Sequence, residues 1–157
     1  MFTKFLTVFF VSMLPLAELR VAVPLAVGMK LPLVASYIIC IIGNMLPVPF
    51  IYFFARKVLE WGATKPILEK PFTWILKKGE KGGEKLMAKV GRSTYVALFL
   101  FVGIPIPGTG AWTGTLAASI LDLDFKKSVL AALGGVLLAG IIMGVASTGV
   151  FSLIGLV

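Results

Sequence analysis

Thr94-Tyr-Val-Ala-Leu-Phe-Leu-Phe-Val-Gly-Ile104 is uncharged, Pro105-Ile-Pro-Gly-Thr-Gly110 breaks it, and Ala111-Trp-Thr-Gly-Thr-Leu-Ala-Ala-Ser-Ile-Leu121 resumes it before Asp122 and Asp124. As helix, an arm of roughly ten residues rises only about 15 Å against a hydrocarbon core of about 30 Å, so neither arm crosses a bilayer alone. Two prolines and two glycines within six residues favour a re-entrant helical hairpin, 94–121, with its tip at membrane depth. The alternative is one kinked span, because proline is tolerated in membrane helices.

The N-terminal region has the same layout. Phe5 to Leu14 is apolar and ends at Pro15, and Ala17 to Gly28 carries Glu18, Arg20 and Pro24 before Lys30. For this stretch, 5–28, a hairpin and a kinked span both stand open. Each broken segment precedes a long charge-free one: 25 residues at 31–55 and 30 residues at 128–157, where a crossing needs about 20. At an offset of 92, Pro15 falls on Pro107, Ser36 on Ser128 and Gly43 on Gly135. A hairpin adds no crossing, so each repeat crosses once and the second copy is inverted, as in transporters whose discontinuous helices meet near the midplane.

The expected fold is therefore an all-α integral membrane protein, one membrane domain over 1–157. Repeat 1 covers 1–55, with hairpin 5–28 and span 31–55. A basic linker covers 56–92. Repeat 2 covers 93–157, with hairpin 94–121 and span 126–148 followed by a short C-terminal apolar segment. Composition agrees: 59% of the 157 residues are hydrophobic and 14% charged, with a mean hydropathy of +1.02, which leaves no room for a soluble domain.

Lys4 before the apolar run resembles the start of a secretory signal, but Glu18 and Arg20 follow where a small-residue cleavage motif belongs, so the segment is expected in the mature protein. Ten of the fifteen Lys and Arg lie between Arg56 and Arg92 against four acids, a net of +6. Beside membrane spans this charge reads as a cytoplasmic linker under the positive-inside rule, with affinity for anionic lipid, and not as a nucleic-acid surface. Trp61, Leu68, Phe72, Trp74, Ile75, Leu76 and Leu86 interrupt its charges as an amphipathic helix does, while Pro66, Pro71 and Gly79–Gly83 divide it.

Histidine is absent and Cys40 stands alone, so neither a metal centre nor a disulfide is expected. The apolar segments hold no Ser-Lys or paired-Asp constellation, which argues against an enzyme. Gly108-x-Gly110 does not complete a GxGxxG, so no dinucleotide cofactor is expected.

Ionisable groups at membrane depth are functional candidates. Glu18 reads as a proton or cation site, and Arg20 as its partner or as a ligand for an anionic head group; the alternative is a structural pair with Arg20 snorkelling. At spacing i, i+2 on a helix the two do not face each other. Pro105, Pro107, Gly108, Thr109 and Gly110 form a turn whose amides lead into a helix N-terminus at Ala111, capped by Thr109, where an anion would be attracted; a plain tight turn is the other reading. Trp112 and Thr113 lie in the next turn, placed to line a cavity. Asn44, Pro47 and Pro49 interrupt the first span, either freeing carbonyls for a cation or kinking the helix for packing. Gly140 and Gly144 form a small-xxx-small face for close packing. Asp122 and Asp124, beside Lys126 and Lys127, mark a solvated boundary.

Leu16-Ala-Glu-Leu-Arg-Val-Ala-Val-Pro-Leu25 and Gly103-Ile-Pro-Ile-Pro-Gly-Thr-Gly-Ala-Trp-Thr-Gly114 resemble the signature segments of the small multidrug export family of bacterial and archaeal membrane proteins. The chain also looks distantly similar to the DedA superfamily. That likeness implies opposed re-entrant hairpins and translocation of polyprenyl-phosphate or other phospholipid carriers, although this chain has Thr109 where that superfamily typically carries an arginine. The resemblance implies a multi-pass protein of a prokaryotic cell membrane.

The expected function is transport of an amphipathic or lipid-linked substrate driven by a proton or sodium gradient. Export of cationic drugs, with Glu18 as counter-ion, and uncoupled lipid scrambling or membrane organisation are the alternatives. A homodimer is expected, since so short a chain encloses a cavity poorly. The topology has a direct check. A single cysteine introduced as Lys81→Cys in a Cys40→Ser background is expected to be protected from a membrane-impermeant thiol reagent in intact cells; ready labelling there rules out a cytoplasmic linker.

Overall fold

Proline and left-handed residues set the ends of the helices. The computed structural model describes residues 1–77 apart from Leu16, Leu68 and Ile75, together with 94–153 and Gly155. Helix α1 (Phe2–Met13) stops where Leu14, held extended by the following Pro15, takes φ −71° and ψ 138°. Helix α2 (Glu18–Gly28) contains Pro24, which lacks the amide that would bond the carbonyl of Arg20 one turn earlier. Helix α3 (Leu33–Met45) runs through Leu46 and Pro47 into α4 (Val48–Phe50), a π-helical turn (Ile51–Ala55) and α5 (Arg56–Ala63). Helices α6 (Thr94–Gly103), α7 (Ala111–Ile120) and α8 (Phe125–Leu153) complete the described elements. No strand occurs among the described residues.

The two halves repeat one another at the level of backbone hydrogen bonds. After α2, Lys30 turns left-handed (φ 56°); its amide donates to Val27 and that of Leu31 to Ala26. After α7, Asp122 does the same (φ 52°), with bonds to Ser119 and from Leu123 to Ala118. Each is a Schellman closure, and every member of the second is the first shifted by 92. Glu18 (φ 48°) and Gly110 (φ 138°), also 92 apart, carry the left-handed backbone at the opposite ends of α2 and α7.

Each half folds back on itself. Lys4 Nζ donates to Met29 O at 3.1 Å, joining the start of α1 to the end of α2. Tyr95 Oη accepts from the Asp124 amide at 3.1 Å, joining the start of α6 to the residues after α7. The long helices then link one base to the other. Tyr52 Oη donates to Leu123 O at the base of the second pair, whereas Phe151, near the end of α8, lies against Gly28 at the base of the first. Midway, Tyr37 Oη donates to Leu137 O at 2.6 Å and its ring covers Gly140.

Size is distributed as lipid surroundings require. Six of the fifteen described core residues are alanines (Ala22, Ala26, Ala111, Ala118, Ala132 and Ala139) and no aromatic is fully part of it, whereas Val34 is 73% exposed, Val145 70% and Leu130 67%. Alanines in the core together with exposed large apolar groups match helices that associate by close packing in a bilayer. Leu33–Phe54 (22 residues) and Phe125–Leu153 (29 residues) are long and apolar enough to cross a membrane. The second does not stop at 148 with a separate apolar segment after it, as expected from the sequence; it is one helix to Leu153, about 44 Å long at 1.5 Å per residue. Asp124 has a structural task at its start, where Oδ1 accepts the Lys127 amide at 2.9 Å as an N-cap. Of the linker, 56–63 and 69–74 are helical; Leu68, Ile75, Gly79–Gly83, Leu86 and the positive charges from Lys78 to Arg92 lie outside the described residues.

Gly43 and Gly135, matched by the repeat, do matching work. A Cβ on Gly43 would stand 2.7 Å from Phe9 O and 2.1 Å from Ser12 Oγ; one on Gly135 would stand 2.7 Å from Phe99 O and 2.6 Å from Val102 Cβ. Gly135→Ala is therefore expected to lower stability by about 1–3 kcal/mol. Gly144→Ala, whose Cβ meets nothing within 4 Å, serves as the silent control in thermal unfolding in detergent followed by circular dichroism.

Candidate functional site

A helix that ends inside a bilayer leaves carbonyls at its C-terminus and amides at its N-terminus with no water to bond. At the two breaks such groups find partners across the chain, each break supplying the other's. From the first break, Arg20 reaches over the end of α6: Nη1 donates to Ile106 O at 2.6 Å, and Nη2 lies 3.2 Å from the carbonyls of Val102 and Ile104 and 2.8 Å from Thr109 Oγ1. A cation there also matches the negative end of the helix dipole.

Glu18 does the converse at the start of α7. Its Oε1 accepts the Trp112 amide at 2.9 Å and its Oε2 the Ala111 amide at 3.2 Å, with the residue only 4% exposed. The arrangement suits an ionised carboxylate, bonded through both oxygens at the positive end of a helix. Trp112 returns the contact, since Nε1 donates to Met13 O at 3.0 Å and so covers the end of α1. Glu18 and Arg20 thus direct their hydrogen bonds to the second break and not to one another.

Two further details depend on this joint. Gly110 is the N-cap residue of α7, and with no side chain of its own it leaves the first amides to Glu18. The expected Thr109 cap is therefore incorrect: its hydroxyl lies 2.8 Å from Ile106 O and 3.0 Å from Ile104 O, on the Arg20 side of the turn. Gly110 must be glycine, because φ is 138° and a Cβ would stand 2.2 Å from Glu18 Oε2.

Beside the joint opens a cavity of about 770 Å³. Eight of the residues singled out in the sequence line it: Glu18, Arg20, Pro105, Pro107, Gly108, Thr109, Trp112 and Thr113. Gly110 touches Glu18 without lining the cavity. Pro24 and Asn44 are elsewhere, on α2 and α3. Asn44 is 2% exposed with Oδ1 unpartnered, as is Oγ1 of Thr115 on α7. The remaining walls are apolar and come from elements not anticipated as part of a site: Phe50, Ile51 and Phe54 around the π-helical turn, Val58 and Leu59 on α5, Phe72, and Met143.

That turn is tied to α7, since Ser119 Oγ donates to Tyr52 O at 2.6 Å. The only signal for it in the sequence is Pro47 and Pro49, which disturb the helix a few residues before the π turn begins. Among the described residues no cluster of His, Cys, Asp or Glu could hold a metal ion.

An all-helical membrane protein with two interrupted helical segments meeting around a cavity has the organisation of a transport protein. The family described as "Putative small multi-drug export protein" matches residues 18–142, and the chain belongs to it. Neither the curated proteins nor the solved structures contain a match.

The joint makes a quantitative demand. Glu18→Gln presents an NH₂ group to a backbone amide and is expected to cost about 1–3 kcal/mol. Gly110→Ala is expected to cost a similar amount because it collides with the carboxylate. In a Glu18→Ala background Gly110→Ala should cost less, since the colliding group is gone; strict additivity in thermal unfolding would show that the two positions do not touch.

Proposed function

We propose that the protein is a membrane transporter built from two inverted repeats, each a re-entrant hairpin followed by a crossing helix, which carries an amphipathic substrate past the hairpin tips. The observation that carries this reading is the cavity at the meeting of the two breaks, charged at the Glu18 and Arg20 end and apolar elsewhere. Such a cavity fits a molecule with a polar head and an apolar body, and its size lies within the 300–1,000 Å³ typical of ligand sites. The contacts at the two bases support the inverted arrangement: the tips touch through Glu18, Arg20 and Trp112, so the Lys4–Met29 and Tyr95–Asp124 bases point away from each other.

Val58, Leu59 and Phe72, from the start of the basic linker, line one side of the cavity, and we place its mouth there. With that linker in the cytoplasm, this is an inward-facing state. Coupling to a proton or sodium gradient acts on the joint itself: protonating Glu18 converts one of its two acceptor oxygens into a hydroxyl and loosens its hold on α7. The family description supports cationic-drug export as a second reading, with Glu18 as the counter-ion.

Met143 lines the cavity without bonding to either break. Met143→Trp is therefore expected to fill the cavity and reduce uptake of fluorescent amphiphiles into proteoliposomes about tenfold or more while the melting temperature stays unchanged; ~1.4 kcal/mol of lost binding suffices for that factor. Running anionic and cationic amphiphiles in parallel, with and without a proton or sodium gradient, separates the two readings. Undiminished transport of both by a folded Met143→Trp protein rules the cavity out as the route.

A further inference from the structure

The chain leaves its first span as a folded arm, 56–74. Leu33–Phe54 is 22 residues, about 33 Å as helix against a hydrocarbon core of about 30 Å, so α5 begins at the head-group level. Tyr52 is bonded to Leu123, within the stretch from Asp122 to Lys127 whose four charges mark the same boundary. Helix α5 and the helical residues 69–74 are clasped together: the Phe72 ring lies on Gly62, where a Cβ would stand 2.2 Å from Cδ1. On the inner side of this clasp Leu59 and Phe72 wall the cavity.

The outer side is built differently. Lys57, Trp61 and Lys65 follow one another four residues apart, with Lys65 Nζ 5.1 Å from the Trp61 ring centroid. Lys70 and Trp74 repeat the spacing. Trp61 is 59% exposed, Trp74 60% and Ile67 89%, and all three lysines are exposed. Large apolar side chains left outside at the membrane boundary and interleaved with lysines fit an anionic bilayer surface, where indoles settle among the head groups and ammoniums meet opposite charge. Among the described residues of the arm only Leu59 and Gly62 are buried. Its own packing is slight, and the outer contact decides where it rests.

We propose that the outer face of the arm docks on the anionic surface of the bilayer and thereby holds Leu59 and Phe72 against the cavity, so that membrane charge regulates substrate binding. This rests on the transport reading above for what the cavity holds. It asks nothing further of Glu18 and Arg20, which are bonded to the second break. An arm released from the surface takes two apolar walls with it, and the cavity loses affinity for the apolar body of its occupant.

Ile67 lies away from the cavity and reports on the docking. The full chain, with Ile67→Cys in a Cys40→Ser background and an environment-sensitive dye at position 67, is placed in nanodiscs of phosphatidylcholine with or without a minor fraction of phosphatidylglycerol. The anionic lipid is expected to shield the dye from acrylamide, and high salt to reverse the shielding. Binding of an uncharged fluorescent amphiphile to the unlabelled protein, with empty discs as reference, is expected to tighten about tenfold in the anionic discs. Lys57→Gln, Lys65→Gln and Lys70→Gln together are expected to abolish both responses at unchanged helical content. Gly62→Ala, which displaces Phe72, is expected to abolish the gain in binding and leave the shielding. Equal shielding in the two lipids, responses that survive the triple substitution, or shielding with unchanged affinity each overturn the proposal. Charge-dependent binding without uptake into proteoliposomes upholds the regulated cavity and removes the transport reading. Uptake indifferent to phosphatidylglycerol, with equal shielding, removes the docked arm alone.

Discussion

The fold depends on the exchange of partners between two helix breaks. Arg20 covers the carbonyls at the end of α6, Glu18 the amides at the start of α7, and Trp112 the carbonyl of Met13. In water each of these groups would be solvated for nothing. Buried without a partner, such a group costs about 1–3 kcal/mol, so each break depends on the other. Everything near the site follows from this: Gly110 because the carboxylate needs its space, the left-handed Glu18 because it aims the carboxylate, and the small helix-contact residues because the arms must approach closely.

The all-helical class and two helices long and apolar enough to cross a membrane were legible in the sequence, and for identifiable reasons. Charge-free runs longer than about 20 residues mark the two long helices, and the proline and glycine content of Pro105 to Gly110 dictates a break there. The offset of 92, resting on only three residue identities, has its basis in backbone geometry that several side chains satisfy: Lys30 and Asp122 close their helices in the same way without resembling each other. Glu18, Arg20 and the Pro105–Thr109 turn were singled out because charge and freed backbone at depth are costly. The structure brings these residues into mutual contact.

What escaped the sequence was the identity of the partners and the irregular wall. A helix N-terminus at Ala111 promised attraction for an anion, but nothing in the local pattern shows that the anion belongs to the same chain. Thr109 was assigned to the cap because it sits next to the break, whereas three-dimensional proximity to Arg20 draws it to the other side of the turn. The π turn at Ile51–Ala55 lies in an unbroken apolar run, where residue type carries almost no information about hydrogen-bond register. Phe72 lines the cavity from the linker, about twenty residues beyond the span, a distance that periodicity cannot bridge.

Glu18 and Gly110 stand at the same 92-residue spacing as the matched helix closures, and they fit together as peg and socket. Two identical units could not make this joint: with glutamate at both positions the carboxylates would contend for one space, and with glycine at both the amides of α7 would face nothing. The contact exists only between unlike halves. One position is all peg and the other all socket, so the two halves of the chain meet here as complements and not as copies.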